Sequence, residues 1–232
     1  YLGEWKNGII NGKGKMIFFN GDKFDGYWLN SQRHGEGTQT YKNGERYDGE
    51  WDQGIRSGKG SYVYLNGAKY VGNWNDGEKS GFGIYTDSKS NLYEGEWKNN
   101  LKNGQGILVY INKDRYEGQW KNNYKNGKGK MSYANGDIYD GEWVNGNKEG
   151  YGKLTIIING IEYLGNFKNN NFHGKGIYKT AIGDYYDGEW YGGKKEGKGI
   201  YVSSIGDRYD GSWKNDLKHD YGEFEFADGD KY

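Results

Sequence analysis

The chain has 232 residues, 32 basic against 32 acidic, no cysteine and no proline. Balanced charge excludes a net field that draws it to nucleic acid, and the missing cysteines exclude disulfides, thiolate catalysis and the commonest structural zinc sites. Mean hydropathy is −1.13, a polarity typical of disorder, yet 18% of the residues are aromatic, including 9 Trp and 24 Tyr, which argues for a thin fold without a thick core.

An aromatic recurs at Tyr1, Phe24, Tyr47, Tyr70, Tyr93, Tyr116, Tyr139, Tyr163, Tyr186, Tyr209 and Tyr232, every 23 residues except for one interval of 24, Tyr139 to Tyr163. Taking that aromatic as position 0, Gly occupies position 2, and position 4 holds Trp5, Trp28, Trp51, Trp74, Trp97, Trp120, Trp143, Trp190 and Trp213, with Phe167 in the eighth unit. The spacing predicts ten units, starting at residues 1, 24, 47, 70, 93, 116, 139, 163, 186 and 209, as one continuous array over 1–232. The pattern is cut at both ends, so an excerpt of a longer chain is expected.

Each unit opens with aromatic-x-Gly-x-Trp, the period-two alternation of a strand, and continues into turn residues such as "KNG" after Trp5. Glycines at positions 11 and 13 lead into a second alternating stretch whose positions 15 and 17 are often large, as in Tyr62 and Tyr64. A second turn, "NGD" at Asn20 or "NGA" at Asn66, closes the unit. The expectation is all-β: an elongated, single-layer antiparallel ribbon of tandem hairpins. Side-chain-free strips at positions 2, 11 and 13 are expected to leave room for the Trp rings, with Tyr beside them. Gly192 is the one glycine that falls off the pattern.

The opposite face is charged. Position 1 is often acidic (Asp25, Asp48, Asp140), and positions 12 and 14 are often lysine, with Lys13, Lys59, Lys128, Lys175 and Lys198 at position 12. Position 3 is Glu in odd units (Glu4, Glu50, Glu96, Glu142, Glu189) and Tyr27, Asn73, Gln119, Asn166 and Ser212 in even ones. A partner reading every second hairpin, chance and packing each account for that alternation.

The form Tyr-x-Gly-x-Trp-x₂-Gly-x₃-Gly-x-Gly, as in "YLGEWKNGIINGKG" from Tyr1, resembles the MORN (membrane occupation and recognition nexus) repeat. The resemblance covers the whole chain. It implies hairpin ribbons and a scaffold role in cytoskeletal or ciliary assemblies such as flagellar collars and radial spoke heads. The Asn- and Lys-rich style points to a protist. It implies, as the alternative, phosphoinositide-binding membrane targeting, as proposed for MORN arrays beside lipid kinase domains.

No enzyme is expected. The carboxylates recur unit by unit on a solvated face, whereas a catalytic pair needs two unlike environments. His34, His173 and His219, all at position 10, lie units apart and read as turn residues, and "GKGK" lacks the following helix of a phosphate loop. No cofactor or metal is expected. The nine tryptophans with Tyr47, Tyr70, Tyr93 and Tyr116 form the aromatic face, core first and protein-binding surface second. The position-12 lysines are the candidate contacts for anionic lipid. Protein partners, self-association through open strand edges and a cytoplasmic, cytoskeletal or ciliary location, membrane-peripheral in the lipid reading, complete the expectation.

Overall fold

A computed structural model describes residues 1–232. It is all-β, with twenty strands as ten tandem hairpins and no helix, as the periodicity requires. Contacts divide the chain into two units, Tyr1–Ile111 with Trp120–Asn123, and Asn112–Gln119 with Tyr124–Tyr232. The first ten strands are β1 (Leu2–Lys6), β2 (Ile9–Ile17), β3 (Lys23–Leu29), β4 (Gln32–Thr40), β5 (Arg46–Asp52), β6 (Ile55–Val63), β7 (Lys69–Asn75), β8 (Glu78–Thr86), β9 (Leu92–Lys98) and β10 (Leu101–Val109). The others are β11 (Arg115–Lys121), β12 (Tyr124–Ser132), β13 (Ile138–Val144), β14 (Asn147–Ile156), β15 (Ile161–Lys168), β16 (Asn171–Lys179), β17 (Tyr185–Tyr191), β18 (Lys194–Val202), β19 (Arg208–Lys214) and β20 (Leu217–Glu225). In each unit consecutive strands pair antiparallel.

The third hairpin illustrates the others. Tyr47 faces Tyr62, Gly49 faces Gly60 and Trp51 faces Arg56, so Glu50 alone opposes the three residues Ser57 to Lys59. This bulge turns Gly58 to φ 60°, and its equivalents from Gly12 to Gly197 are likewise left-handed. Position 11 is therefore glycine because of its backbone. A methyl group there would meet the Glu50 carboxylate, not a Trp ring.

The expectation that glycine makes room for Trp is corrected in the same way at positions 2 and 13. Gly49 pairs with Gly60 and Gly60 with Gly72, a ladder of bare backbone crossing the strands. Tyrosine roofs it: a Cβ on Gly60 would strike the Tyr47 ring, and one on Gly83 the Tyr70 ring. Each hydroxyl reaches past the glycines to the bulge, Tyr47 Oη donating to the Glu50 carbonyl at 2.8 Å and Tyr70 Oη to that of Asn73 at 2.8 Å. Tryptophan stands edge-on between two such rings. Tyr47 lies 5.1 Å from Trp51 and 5.2 Å from Trp74, both near perpendicular, the favourable aromatic geometry. The indole N–H donates to a glycine carbonyl of the preceding repeat, as Trp74 Nε1 does to Gly60 at 3.2 Å and Trp143 Nε1 to Gly129 at 2.9 Å.

The turns after Trp need two left-handed residues, the type I′ geometry that suits the strand twist. Gln53 (φ 47°) and Gly54 (φ 84°) supply them in the third hairpin, and Gly192 (φ 57°) and Gly193 (φ 88°) in the ninth, so Gly192 stands on a repeat position after all. Asn100, Asn123, Asn170 and Asp216 replace the second glycine, and each gains a bond. Asn100 Oδ1 accepts the Lys79 N–H at 2.9 Å and Asp216 Oδ1 that of Lys195 at 2.8 Å, tying one hairpin to the last. The histidines are strand residues beside the bulge, on β4, β16 and β20, not turn residues.

Candidate binding face

Position 9 is the second residue of the second strand in each hairpin and pairs with position 4, as Arg56 does with Trp51 and Lys79 with Trp74, which puts it on the aromatic face. In eight hairpins it is a cation: Arg33, Arg56, Lys79, Lys102, Lys125, Lys148, Lys195 and Lys218; Ile10 and Phe172 are the exceptions. Six of these side chains lie over the Trp of the next repeat, while Lys148 lies over Tyr139 and Lys218 over Phe224. The Arg33 guanidinium is 4.2 Å from the Trp51 ring centre, Arg56 4.5 Å from Trp74, Lys79 Nζ 4.5 Å from Trp97 and Lys102 Nζ 5.0 Å from Trp120. In the second unit Lys125 is 4.4 Å from Trp143 and Lys195 4.8 Å from Trp213. Phe172 breaks that row by stacking on Tyr163, 3.7 Å away and nearly parallel.

Lys79 sits deepest in rings, with Tyr85 at 5.0 Å, Tyr70 at 5.6 Å and Tyr64 at 5.8 Å besides Trp97. Burial lowers its amine to about 8, helped by the positive charges of Lys102 and Arg56. Burial also lowers Lys102, Lys125, Lys148, Lys195 and Arg33. None of these cations forms an ion pair. Pairs such as Lys15–Asp25 (2.8 Å) and Lys153–Glu162 (2.8 Å) involve other positions. The nearby acids are engaged elsewhere. Glu45 accepts from Tyr62 Oη at 2.8 Å and from the Leu65 N–H, and Asp87 accepts from Asn91 and Lys89. Tyr62 and Tyr64 (4.6 Å) and Tyr85 (6.2 Å from Tyr64) complete an aromatic surface beside Arg56 and Lys79. An open depression of about 620 Å³ lies at Arg33, bounded by Phe18, Phe19, Trp28, Gln39 and Gln53.

The sequence-expected residues separate into two groups. Tyr47, Tyr70, Tyr93 and Tyr116 are wholly buried and eight of the tryptophans nearly so, leaving Trp5, 59% exposed at β1, as the one open ring of the set. The rings are core; the cations and half-buried tyrosines such as Tyr64 and Tyr85 rest on them. Lys13, Lys59, Lys128, Lys175 and Lys198 are exposed on the other face, opposite Tyr27, Asn73, Glu142, Glu189 and Ser212. They are interleaved with acids. The position-3 Glu has a packing role: Glu50 Oε1 accepts the Lys59 N–H and Glu96 Oε1 the Gln105 N–H, each at 2.9 Å, capping the bulge. Gln119 does the same for Lys128 at 3.1 Å. Sequence reasoning missed position 9, although its charge recurs with the same period as the tryptophans.

Ten copies of one hairpin, each completing its core on its neighbour, define a tandem-repeat protein with a cation-lined aromatic face. The chain belongs to the MORN-repeat family: the MORN repeat model matches residues 1–23, 24–46, 47–69, 70–91, 93–115, 116–138, 139–156, 163–185, 186–208 and 209–231. No curated protein matches it. Among solved structures, the TCP10 domain of Danio rerio CPAP aligns with TM-score 0.48 and 9% identity over 94% of this chain and 97% of that one. The same domain in complex with a peptide of Danio rerio STIL gives 0.46 and 11% over 95% and 97%. The SAS-4 (dCPAP) TCP domain of Drosophila melanogaster, in complex with a proline rich motif of Ana2, gives 0.38 and 13% over 88% and 97%. These likenesses are too slight to bear on function.

Proposed function

We propose that this chain is a non-enzymatic scaffold that holds protein partners on the face carrying the position-9 cations. One observation supports this above the rest: Arg33, Arg56, Lys79 and Lys102 are half-buried on aromatic rings without a carboxylate partner. Arg33 and Arg56 donate to the Gly54 and Gly77 carbonyls at 2.7 and 2.8 Å, but a half-buried charge that lacks a counter-charge costs stability, and a docked acidic group would supply one. Planar rings and arginine are also the groups that dominate protein interfaces. The setting, a cytoplasmic cytoskeletal or ciliary assembly, follows from the family resemblance. Carboxylates that recur in like surroundings along the array, with no pair set apart from the rest, support the non-enzymatic reading.

A photo-crosslinking side chain placed at Tyr64 on this face, and at Lys59 on the other, tests the reading in cells. Protein conjugates from Tyr64 and few from Lys59 are expected, and conjugates between two copies of the chain would identify self-association. Conjugates only from Lys59 would overturn the choice of face. The membrane alternative is checked by flotation with phosphoinositide vesicles. Binding at physiological salt that is abolished by Glu at Lys13, Lys59, Lys128, Lys175 and Lys198 would replace the scaffold reading; binding at low salt alone is the expected result, since exposed charges interleaved with acids are screened.

A further inference from the structure

The spacing of the cations defines the partner further. Arg56, Lys79 and Lys102 occupy the same position on β6, β8 and β10, so they recur once per hairpin, every second strand. At about 4.8 Å between strands this is a step of ~9.6 Å. A polyproline II helix rises ~3.1 Å per residue with three residues per turn, so every third side chain points the same way at intervals of ~9.3 Å. The two periods nearly coincide. A β-strand ligand puts alternate residues on one face at ~6.6 Å, and an α-helix repeats at ~5.4 Å per turn; neither falls in step with the cations. The tyrosines beside the cations are the kind of ring surface on which polyproline II segments dock.

Chemistry agrees with spacing. Lys79 has no acid in contact, and the charges acting on it most strongly are Lys102 and Arg56, both positive. Three like charges stand in line, in a chain whose net charge is zero. Glu45 and Asp87 act electrostatically on Arg56 and Lys102 respectively without pairing with them, and their oxygens are held by hydroxyl, amide and backbone donors. A ligand carboxylate therefore meets no competing acid at Lys79.

We infer that the face of β6, β8 and β10 binds an acidic peptide segment in the polyproline II conformation, with a carboxylate at every third residue pairing in turn with Arg56, Lys79 and Lys102. This rests on the scaffold reading and names the chemical class of its partner. The row in the second unit, where Phe172 replaces a cation between Lys148 and Lys195, lacks three consecutive cations after Lys148 and is a poorer match.

The test uses the full chain and two fluorescent peptides of identical composition. One repeats Glu-Pro-Ser about five times; its isomer carries the same glutamates in one block. Fluorescence anisotropy at ~0.15 M salt, where exposed charges are screened beyond ~8 Å, is expected to show the periodic peptide binding about tenfold or more tighter, a difference of ~1.4 kcal/mol. Lys79→Gln should weaken the periodic peptide about tenfold and leave the isomer unchanged, while Lys59→Gln on the other face changes neither. Lys79→Met, which suits the ring-lined site sterically, guards against loss through misfolding and should weaken binding equally. Equal affinity for the two isomers, or equal losses from Lys59→Gln and Lys79→Gln, would overturn the inference. Protein conjugates from Tyr64 with no binding of the periodic peptide would leave the scaffold standing and reject the acidic partner; no conjugates and no binding would reject both.

Discussion

Replacing Gly72 by alanine tests the tyrosine-over-glycine packing most directly. Gly72 has an ordinary strand conformation, so the backbone itself tolerates a side chain. The space does not: an added Cβ would lie 2.5 Å from Gly83 Cα, 2.6 Å from Tyr70 Oη and 2.7 Å from the Phe82 carbonyl oxygen. Two of the three obstacles are backbone atoms of the paired strand and cannot swing aside. Overpacking of this kind costs about 1–3 kcal/mol, and the upper part of that range applies where backbone must move. Displacing Tyr70 also strains its 2.8 Å bond to the Asn73 carbonyl, worth about 1 kcal/mol. Stiffening of the unfolded chain by alanine returns about 0.4–1 kcal/mol. The net loss is about 3 kcal/mol. Gly54→Ala is the matched control, with nothing within 4 Å of the new methyl but a φ of 84°, and should cost about 1–2 kcal/mol from backbone handedness alone. Urea unfolding followed by tryptophan fluorescence gives the ranking. Because repeat arrays can unfold in parts, amide exchange over β7 and β8 should locate the loss. If Gly72→Ala matches the parent, or costs less than Gly54→Ala, the glycine ladder is not held open for tyrosine.

Glu50→Ala removes the acceptor of the Lys59 N–H and should speed exchange of that amide, at a cost of about 1 kcal/mol; Glu50→Gln should be neutral, since Gln119 does the same work in its own hairpin. Trp143→Phe leaves the Gly129 carbonyl without its 2.9 Å donor and should destabilise by about 1–3 kcal/mol in chemical denaturation. Lys79→Met should stabilise the free chain at neutral pH. The folded amine titrates at about 8 against an ordinary 10.5, so the folded form carries the cost of a charged, desolvated amine in full below pH 8. That cost fades between pH 8 and 10.5 as the amine loses its proton, and vanishes above. The stability difference between variant and parent, on the order of 1 kcal/mol after allowance for the solvent that reaches the amine, should follow the same curve; a difference independent of pH would refute the desolvation account.

The hairpins and their order were legible because the Tyr-to-Trp spacing obeys strand periodicity and the intervening turns carry Asn and Gly. The reasons for the glycines were not. Gly58 and Gly60 look alike in "GKG", yet the first is glycine for its left-handed backbone and the second because a ring lies on it. Nothing in the residue type distinguishes these two demands; the bulge opposite Glu50 does. Gly192 looks stray because the other turn glycines stand one position later, yet its position carries Asn7, Gln53 or Asn99 in other hairpins, residues that take the same positive φ. The cation row was missed for a related reason. The glycine pair marks the second strand only from position 11, whereas that strand begins three residues earlier, at Ile55 in the third hairpin. Extended to that point, the same alternation puts Arg56 on the aromatic face.

The placement of charge explains how a neutral chain can carry a polarised surface. Paired charges such as Lys15 with Asp25 and Arg115 with Glu117 (2.6 Å) sit at positions 14, 1 and their neighbours. The position-9 cations instead rest on rings that the fold has already fixed. Their stems cover Trp edges, and their backbone carbonyls accept from the next turn, as Lys79 does from the Asn100 N–H at 3.1 Å. One residue thus joins two repeats through its backbone and shields the next Trp with its side chain, while its charge remains unpaired. Substituting the charge alone should therefore alter recognition without dissolving the array, whereas substituting the ring beneath it should do both. Because each Trp from Trp28 onward bonds to the repeat before it, that second effect should reach the neighbouring hairpin, the nearest-neighbour coupling by which repeat arrays are held together.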